Sequence, residues 1–199
     1  GFQEVTRSYA SVIANSTGGF APWSPAINGA VYDITYNANR IFIGGSFTTV
    51  SAAARNGLAA FALNGNLNTF NLNLTKTGGS VTVNSLLATA TEIYAGGDFT
   101  AAGASLRSDL VGATINPVVV TATDASPDAN VYAIGLNGTT LVYGGAFTYS
   151  NYVPRNYLSV IRSSNGTALP WNPLPDGYVL DIAYNYNKIF IAGSFDNVS

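Results

Sequence analysis

The sequence predicts an all-β chain, a β-propeller built of four-stranded antiparallel blades with about four repeat equivalents, and three observations on one period predict it. A Gly-Gly frame recurs as IFIGGSFT, IYAGGDFT, LVYGGAFT and IFIAGSFD, placing Gly45, Gly97, Gly145 and Gly193 at steps of 52, 48 and 48 residues. An arginine recurs on the same period at Arg7, Arg55, Arg107 and Arg155, at steps of 48, 52 and 48, each followed by a short apolar run. A third apolar segment opens at Val31, Val83, Val131 and Val179, with Ile or Leu three residues on. Three markers sharing one spacing identify a repeat architecture, in which each unit buries its apolar faces against its neighbours.

Each element follows from residue type. VYDITY, an Asn-rich turn at NANR and RIFIGGSF read as two strands of a hairpin. After a loop, GLAAFAL gives a third strand, and Asn64-Gly65 turns the chain into a fourth, NLNTFNL. Runs such as Ile41, Phe42 and Ile43 are apolar on both faces, which suits a sheet held between two others. No stretch sustains an i, i+3, i+4 apolar pattern, so almost no helix is expected. Four-stranded units of this size, stacked radially, make a propeller. The repeats run approximately over 1–27 (partial), 28–78, 79–127, 128–175 and 176–199 (partial), as one propeller or propeller segment. The Gly-Gly pair is expected to supply positive φ and close backbone approach, with Phe47, Phe99, Phe147 and Phe195 plugging the space between blades. The recurrent arginines are expected to bond backbone carbonyls between blades.

A longer period overlies the short one. Arg7–Ser51 aligns with Arg155–Ser199 at 25 identities in 45 positions without gaps, and PWSP at Pro22 matches PWNP at Pro170. The offset of 148 spans three units. The first and last units are read as two halves of a blade, which either close a ring together or belong to a longer array.

Composition excludes several functions. Eight Lys and Arg against ten Asp and Glu give a net charge of −2, too few cations for a nucleic-acid surface or a polybasic membrane patch. Apolar runs are short, so no membrane insertion is expected. Cysteine, histidine and methionine are absent, which removes thiolate nucleophiles, histidine bases, zinc and haem ligands, and disulfides. The opening GFQEVTRSYA has no basic region followed by an apolar stretch, so no signal peptide is read there. Abundant Asn, Ser, Thr and Gly with few Lys point to an extracellular or cell-surface bacterial protein. Five N-x-[ST] sequons, at Asn15, Asn73, Asn137, Asn165 and Asn197, are no more than such a composition produces by chance.

The I-[FY]-x-G-G-x-F-T element, the following Arg with Asn or Ser, and the W-x-P before the next unit resemble the delta-60 repeat propellers of bacterial surface proteins. Kelch blades, with their Gly-Gly after the second strand, are more distantly similar. The resemblance implies a propeller fold and a large, adhesin-like extracellular setting. The Kelch-like copper oxidases need His and Cys that this chain lacks.

Candidate sites are few. Tyr149 and Tyr152 lie in the loop after a second strand, while Tyr36, Tyr184 and Tyr186 lie in or beside first-to-second strand turns. Tyrosine among Asn and Ser suits stacking on sugars or contact with a protein. Asp33 and Asp181 occupy equivalent first-strand positions, where they either line a central channel and hold a cation such as calcium or accept bonds from backbone amides. The loop DASPDAN, with Asp124, Asp128 and Asn130, is oxygen-rich without calcium-loop spacing. No cofactor or catalytic motif is found, so the expected function is structural or adhesive: protein or glycan binding, or fibre assembly from copies of itself. The alternative is a carbohydrate-processing enzyme working through the channel aspartates.

Overall fold

The computed structural model describes residues 8–13, 15–17, 19, 23–185 and 188–199, and among them the chain is all β, with nineteen strands and no helix. The first sheet contains β1 (Val31–Tyr36), β2 (Arg40–Gly45) and β5 (Leu58–Ala62), with a small hairpin, β3 (Thr49–Val50) and β4 (Ala53–Ala54), between β2 and β5. Next come β6 (Leu74–Thr75), β7 (Thr82–Ala88), β8 (Glu92–Asp98), β9 (Ala101–Ala102), β10 (Ser105–Leu106), β11 (Leu110–Ile115) and β12 (Val118–Val120). Of these, β12-β11-β8-β7 form the second sheet and β10-β9-β6 a small one beside it. The third sheet is β13 (Val131–Asn137), β14 (Thr140–Gly145) and β17 (Leu158–Arg162), with the hairpin β15 (Tyr149–Ser150) and β16 (Val153–Pro154) inserted. The fourth is the hairpin β18 (Val179–Asn185) and β19 (Lys188–Gly193). All pairings are antiparallel, and the first strands pack side by side in chain order, β1 on β7, β7 on β13 and β13 on β18.

Every first hairpin carries the same irregularity. Val31 faces Gly45 but Asp33 faces Gly44, so one residue of β1 is extra, and the shift recurs at Val83/Ser85, Val131/Ala133 and Val179/Asp181. The second glycine of each pair sits in this bulge. A Cβ on Gly45 would lie 2.9 Å from the Ala30 carbonyl carbon and 3.0 Å from Val31 Cα, which only glycine avoids. The first glycine instead receives the next sheet, since a Cβ on Gly44 would lie 2.8 Å from Val83 Cγ1 and 3.1 Å from Leu86 Cγ. Gly96 meets Val131 and Ile134, and Gly144 meets Val179 and Ile182, in the same way. Close approach therefore accounts for the pair. The expected positive φ does not, because the left-handed glycines among the described residues are Gly57, Gly65, Gly78, Gly103, Gly138 and Gly166.

The core lies between sheets. One buried cluster joins Phe42, Leu58 and Ala60 to Val83, Leu86 and Phe99, a second joins Tyr94 and Leu110 to Val131, Ile134 and Phe147, and a third joins Val142 and Leu158 to Val179 and Ile182, with Phe195 against it. Phe47 packs with Ala10, Ile27 and Ile43 on the outer side of the first sheet. Phe99, Phe147 and Phe195 thus fill the joints between sheets, while Phe47 covers the outer side of the first.

Two expectations change. Four-stranded sheets were expected throughout, but among the described residues only the second has four strands; in the first and third the fourth strand shrinks to the bridges Phe61–Leu67 and Ile161–Ala168. In the first sheet Asn68 Oδ1 accepts the Phe70 N–H at 2.9 Å and turns the chain away, and in the third Pro170 follows without an N–H to donate. The arginines do bond carbonyls, but within their own repeat and not between sheets. Arg55 Nη2 donates to Asn68 O at 3.0 Å, Arg107 Nη2 to Thr121 O at 3.1 Å and Arg155 Nη2 to Leu169 O at 3.2 Å, tying the approach to the third strand to the segment after it. Arg7 lies outside the described residues.

Candidate functional site

The predicted residues fall at opposite ends of the sheets. Tyr36 and Tyr184 close first strands at the turn into the second, whereas Tyr149 and Tyr152 belong to the β15–β16 hairpin, which leaves the second strand at its other end. Tyr36 is exposed, while Tyr184 rests on Gly135 of β13, and burial raises its hydroxyl to about 12. Tyr186 lies outside the described residues. The tyrosines accordingly form no single site.

The β15–β16 hairpin is the most presented aromatic feature. Tyr152 is 88% exposed and sits with Asn151 at the turn, both at positive φ. Tyr149, opposite Pro154, is also exposed. Backbone bonds are few in a hairpin of two-residue strands, so its position depends on a side chain. Asp128 supplies it: its carboxylate accepts the Thr148 N–H at 2.7 Å, the Thr148 hydroxyl at 2.8 Å and the Tyr149 N–H at 2.9 Å. Partial burial would raise the Asp128 carboxyl, but the bonds from Tyr149 and Thr148 outweigh it and hold the group below its usual range. The clamp recurs. Asn28 Oδ1 accepts the N–H groups of Thr48 and Thr49, both at 2.8 Å, and Asp176 Oδ1 those of Asp196 and Asn197 at 2.8 and 3.0 Å. Sequence reading missed this set, although an Asx stands 20 residues before Thr48, Thr148 and Asp196, with Ser80 at the corresponding place before Thr100. In the DASPDAN loop, Asp124 pairs with Arg107 at 3.2 Å and accepts bonds from Ser126.

Asp33 and Asp181 take up backbone donors. Asp33 Oδ1 accepts the Ile34 N–H at 2.7 Å, and its Oδ2 accepts the Leu86 N–H of β7 at 2.6 Å, so the side chain fastens the first strands of two sheets. Burial raises its carboxyl, the bonds from Leu86 and Ile34 oppose this, and the Asp181 charge adds to the rise. Asp181 is exposed and accepts only the Ile182 N–H, at 2.8 Å, among the described residues. No cluster of three or more His, Cys, Asp or Glu side chains suited to a metal occurs among the described residues.

Two further features escaped sequence reading. A cleft of about 500 Å³ is lined by Trp23, Pro25, Ile41, Leu63, Asn64 and Asn66. Trp23 packs edge-on against Phe61 at 5.0 Å and donates from Nε1 to Gly65 O at 3.0 Å. Buried Asp109 has φ 60 and accepts the Phe99 N–H at 3.2 Å. Burial pushes its carboxyl to about 7, with Asp98 and Asp128 adding to the rise and the Phe99 bond and Lys76 opposing it. No helix of the described residues is long and apolar enough to cross a membrane. Neither a known protein family nor any curated protein matches the chain.

Proposed function

We propose that the four sheets are blades of a β-propeller of the delta-60 repeat kind, and that the molecule is an extracellular or cell-surface adhesive scaffold presenting loops to a glycan or protein. The observation that carries this reading is the Tyr149/Tyr152 hairpin, an amphipathic aromatic pair held in place by Asp128 and Thr148 rather than buried. Rigid aromatic surface loses little conformational entropy on binding, which suits recognition by stacking. The Asp33 carboxylate already accepts two backbone N–H groups, so the proposal assigns it a structural duty and no catalysis. The test is a panel of immobilised oligosaccharides and surface proteins probed with the chain and with Tyr149→Ala/Tyr152→Ala. Retention that falls at least tenfold in the double variant supports the reading, and equal retention by both overturns the assignment to this hairpin. Small-angle scattering tests the propeller itself through the disc-like shape that radial blades impose.

A further inference from the structure

Between the first and second sheets, at the end where first strands turn into second strands, lies a polar cleft of about 210 Å³. Asn37, Asn39, Arg40, Thr91, Ile115 and Asn116 line it. Two side-chain bonds pin its walls together. Asn37 Nδ2 donates to Thr89 O at 3.2 Å, and Arg40 Nη1 donates to Ile115 O at 3.0 Å, both crossing from the first sheet to the second. Asn37 Oδ1 also accepts the N–H groups of Asn39 and Arg40, at 3.0 and 2.9 Å, which fixes the turn on which the guanidinium stands. A cleft set this firmly by the fold needs little ordering to receive a ligand.

Arg40 supplies the only charge on the lining, and that charge is unanswered. A guanidinium carries five N–H donors, and among the described residues the Ile115 carbonyl is the one protein acceptor for those of Arg40. The ion pairs among the described residues are elsewhere, Lys76 with Asp98 and Arg107 with Asp124. Arg40 is half-buried, and a cation partly removed from water gains from a counter-charge. The other joints are built differently. Glu92 holds the equivalent place in the second sheet, where it accepts the Tyr94 hydroxyl at 2.7 Å, and Thr140 holds it in the third.

Neutral polar groups surround the guanidinium. Asn39, Thr91 and Asn116 are exposed, and their side chains have no hydrogen-bond partner among the described residues. No Asp or Glu lines the cleft, so a ligand ammonium would find no acceptor of opposite charge. One guanidinium matches a carboxylate in charge and in its paired oxygens, whereas a phosphate dianion would need a second cation. Amides and a hydroxyl suit the hydroxyls of a sugar ring. The volume falls below that of pockets for drug-sized ligands, which restricts the occupant to a single small unit.

We infer that this cleft binds a uronic acid, a sugar whose ring carries a carboxylate. Arg40 takes the carboxylate through its unused N–H groups, and Asn39, Thr91 and Asn116 take the ring hydroxyls. The site lies at the end of the sheets opposite the Tyr149/Tyr152 hairpin and does not depend on it.

The test is an amide NMR titration of the chain with three probes: methyl glucuronide, methyl glucoside and acetate. The glucoside lacks the carboxylate and acetate lacks the ring, so each removes one half of the recognition. Methyl glucuronide is expected to give saturable shifts centred on Asn39, Arg40, Thr91 and Asn116, with both other probes weaker by about tenfold or more. Arg40→Gln should weaken the glucuronide by about tenfold or more. Because that variant also loses the bond to Ile115, Asn116→Ala is measured beside it. It should weaken binding about threefold with an unchanged melting temperature. Absence of saturable shifts at these residues overturns the inference, as does a glucoside or acetate that binds as tightly as the glucuronide, or binding that neither substitution alters.

Discussion

At the scale of single residues, the same side chain carries different weight in different sheets. Asp33 fastens two strands through Ile34 and Leu86, while Asp181, at the equivalent place, holds only Ile182. Asp33→Ala is expected to lower unfolding stability by about 1–3 kcal/mol in urea melts, and Asp181→Ala by less than about 0.5 kcal/mol. Asp109 acts in the opposite sense. Its folded carboxyl, near 7, lies above the ordinary 3.8, so the native state holds a proton that the unfolded chain releases. That contribution to stability is complete below the ordinary value and is lost as pH rises through about 7. Asp109→Asn keeps the shape and tolerates positive φ, so it is expected to gain about 1–2 kcal/mol over the parent at neutral pH and little near pH 4. Urea midpoints at the two pH values check this.

At the scale of elements, the glycine pairs decide how sheets bulge and how they stack. Gly45→Ala drives a methyl into the backbone of Ala30 and Val31, and is expected to cost about 3 kcal/mol or more. Gly138→Ala meets nothing within 4 Å and carries only the strain of φ 59°, about 1–2 kcal/mol. Thermal melts of the two variants rank them. The strand order within a unit was legible in the sequence because Val-led runs, Gly-Gly and Asn-rich turns mark strands locally. The short hairpins β3–β4, β9–β10 and β15–β16 were not legible, since two-residue strands have no periodicity, and the first and last are fixed by the distant Asx side chains Asn28 and Asp128. The reach of the fourth strand was equally hidden, because an Asx turn at Asn68 and the missing N–H of Pro170 end it. Of the candidate site, exposure of Tyr149 and Tyr152 agrees with the loop assignment. Tyr184 does lie beside its turn, but its half-burial was hidden because its support, Gly135, belongs to the neighbouring sheet.

For the whole molecule, stability resides in the joints between sheets. Phe99 and Phe147 lie in separate clusters, so each Phe→Ala change is expected to cost about 3–5 kcal/mol, and the two costs should add to within about 0.5 kcal/mol. Differential scanning calorimetry of the single and double variants measures both. A single transition whose calorimetric and van't Hoff enthalpies agree would show that the sheets unfold as one block and do not melt joint by joint.

The glycine notch has a consequence for how such a chain can change length. Gly96 receives Val131 and Ile134, and Gly144 receives Val179 and Ile182, the same two residue types in the same order. Removing residues 98–145 would splice Gly97 to Ala146 and present Val179 and Ile182 to Gly96. The new seam has the chemistry of the one it replaces. Unequal recombination in steps of one period therefore preserves the glycine notch, and what it changes lies inside the sheet, where Ala95 would replace Tyr143 and end its buried hydrogen bond to Ser150.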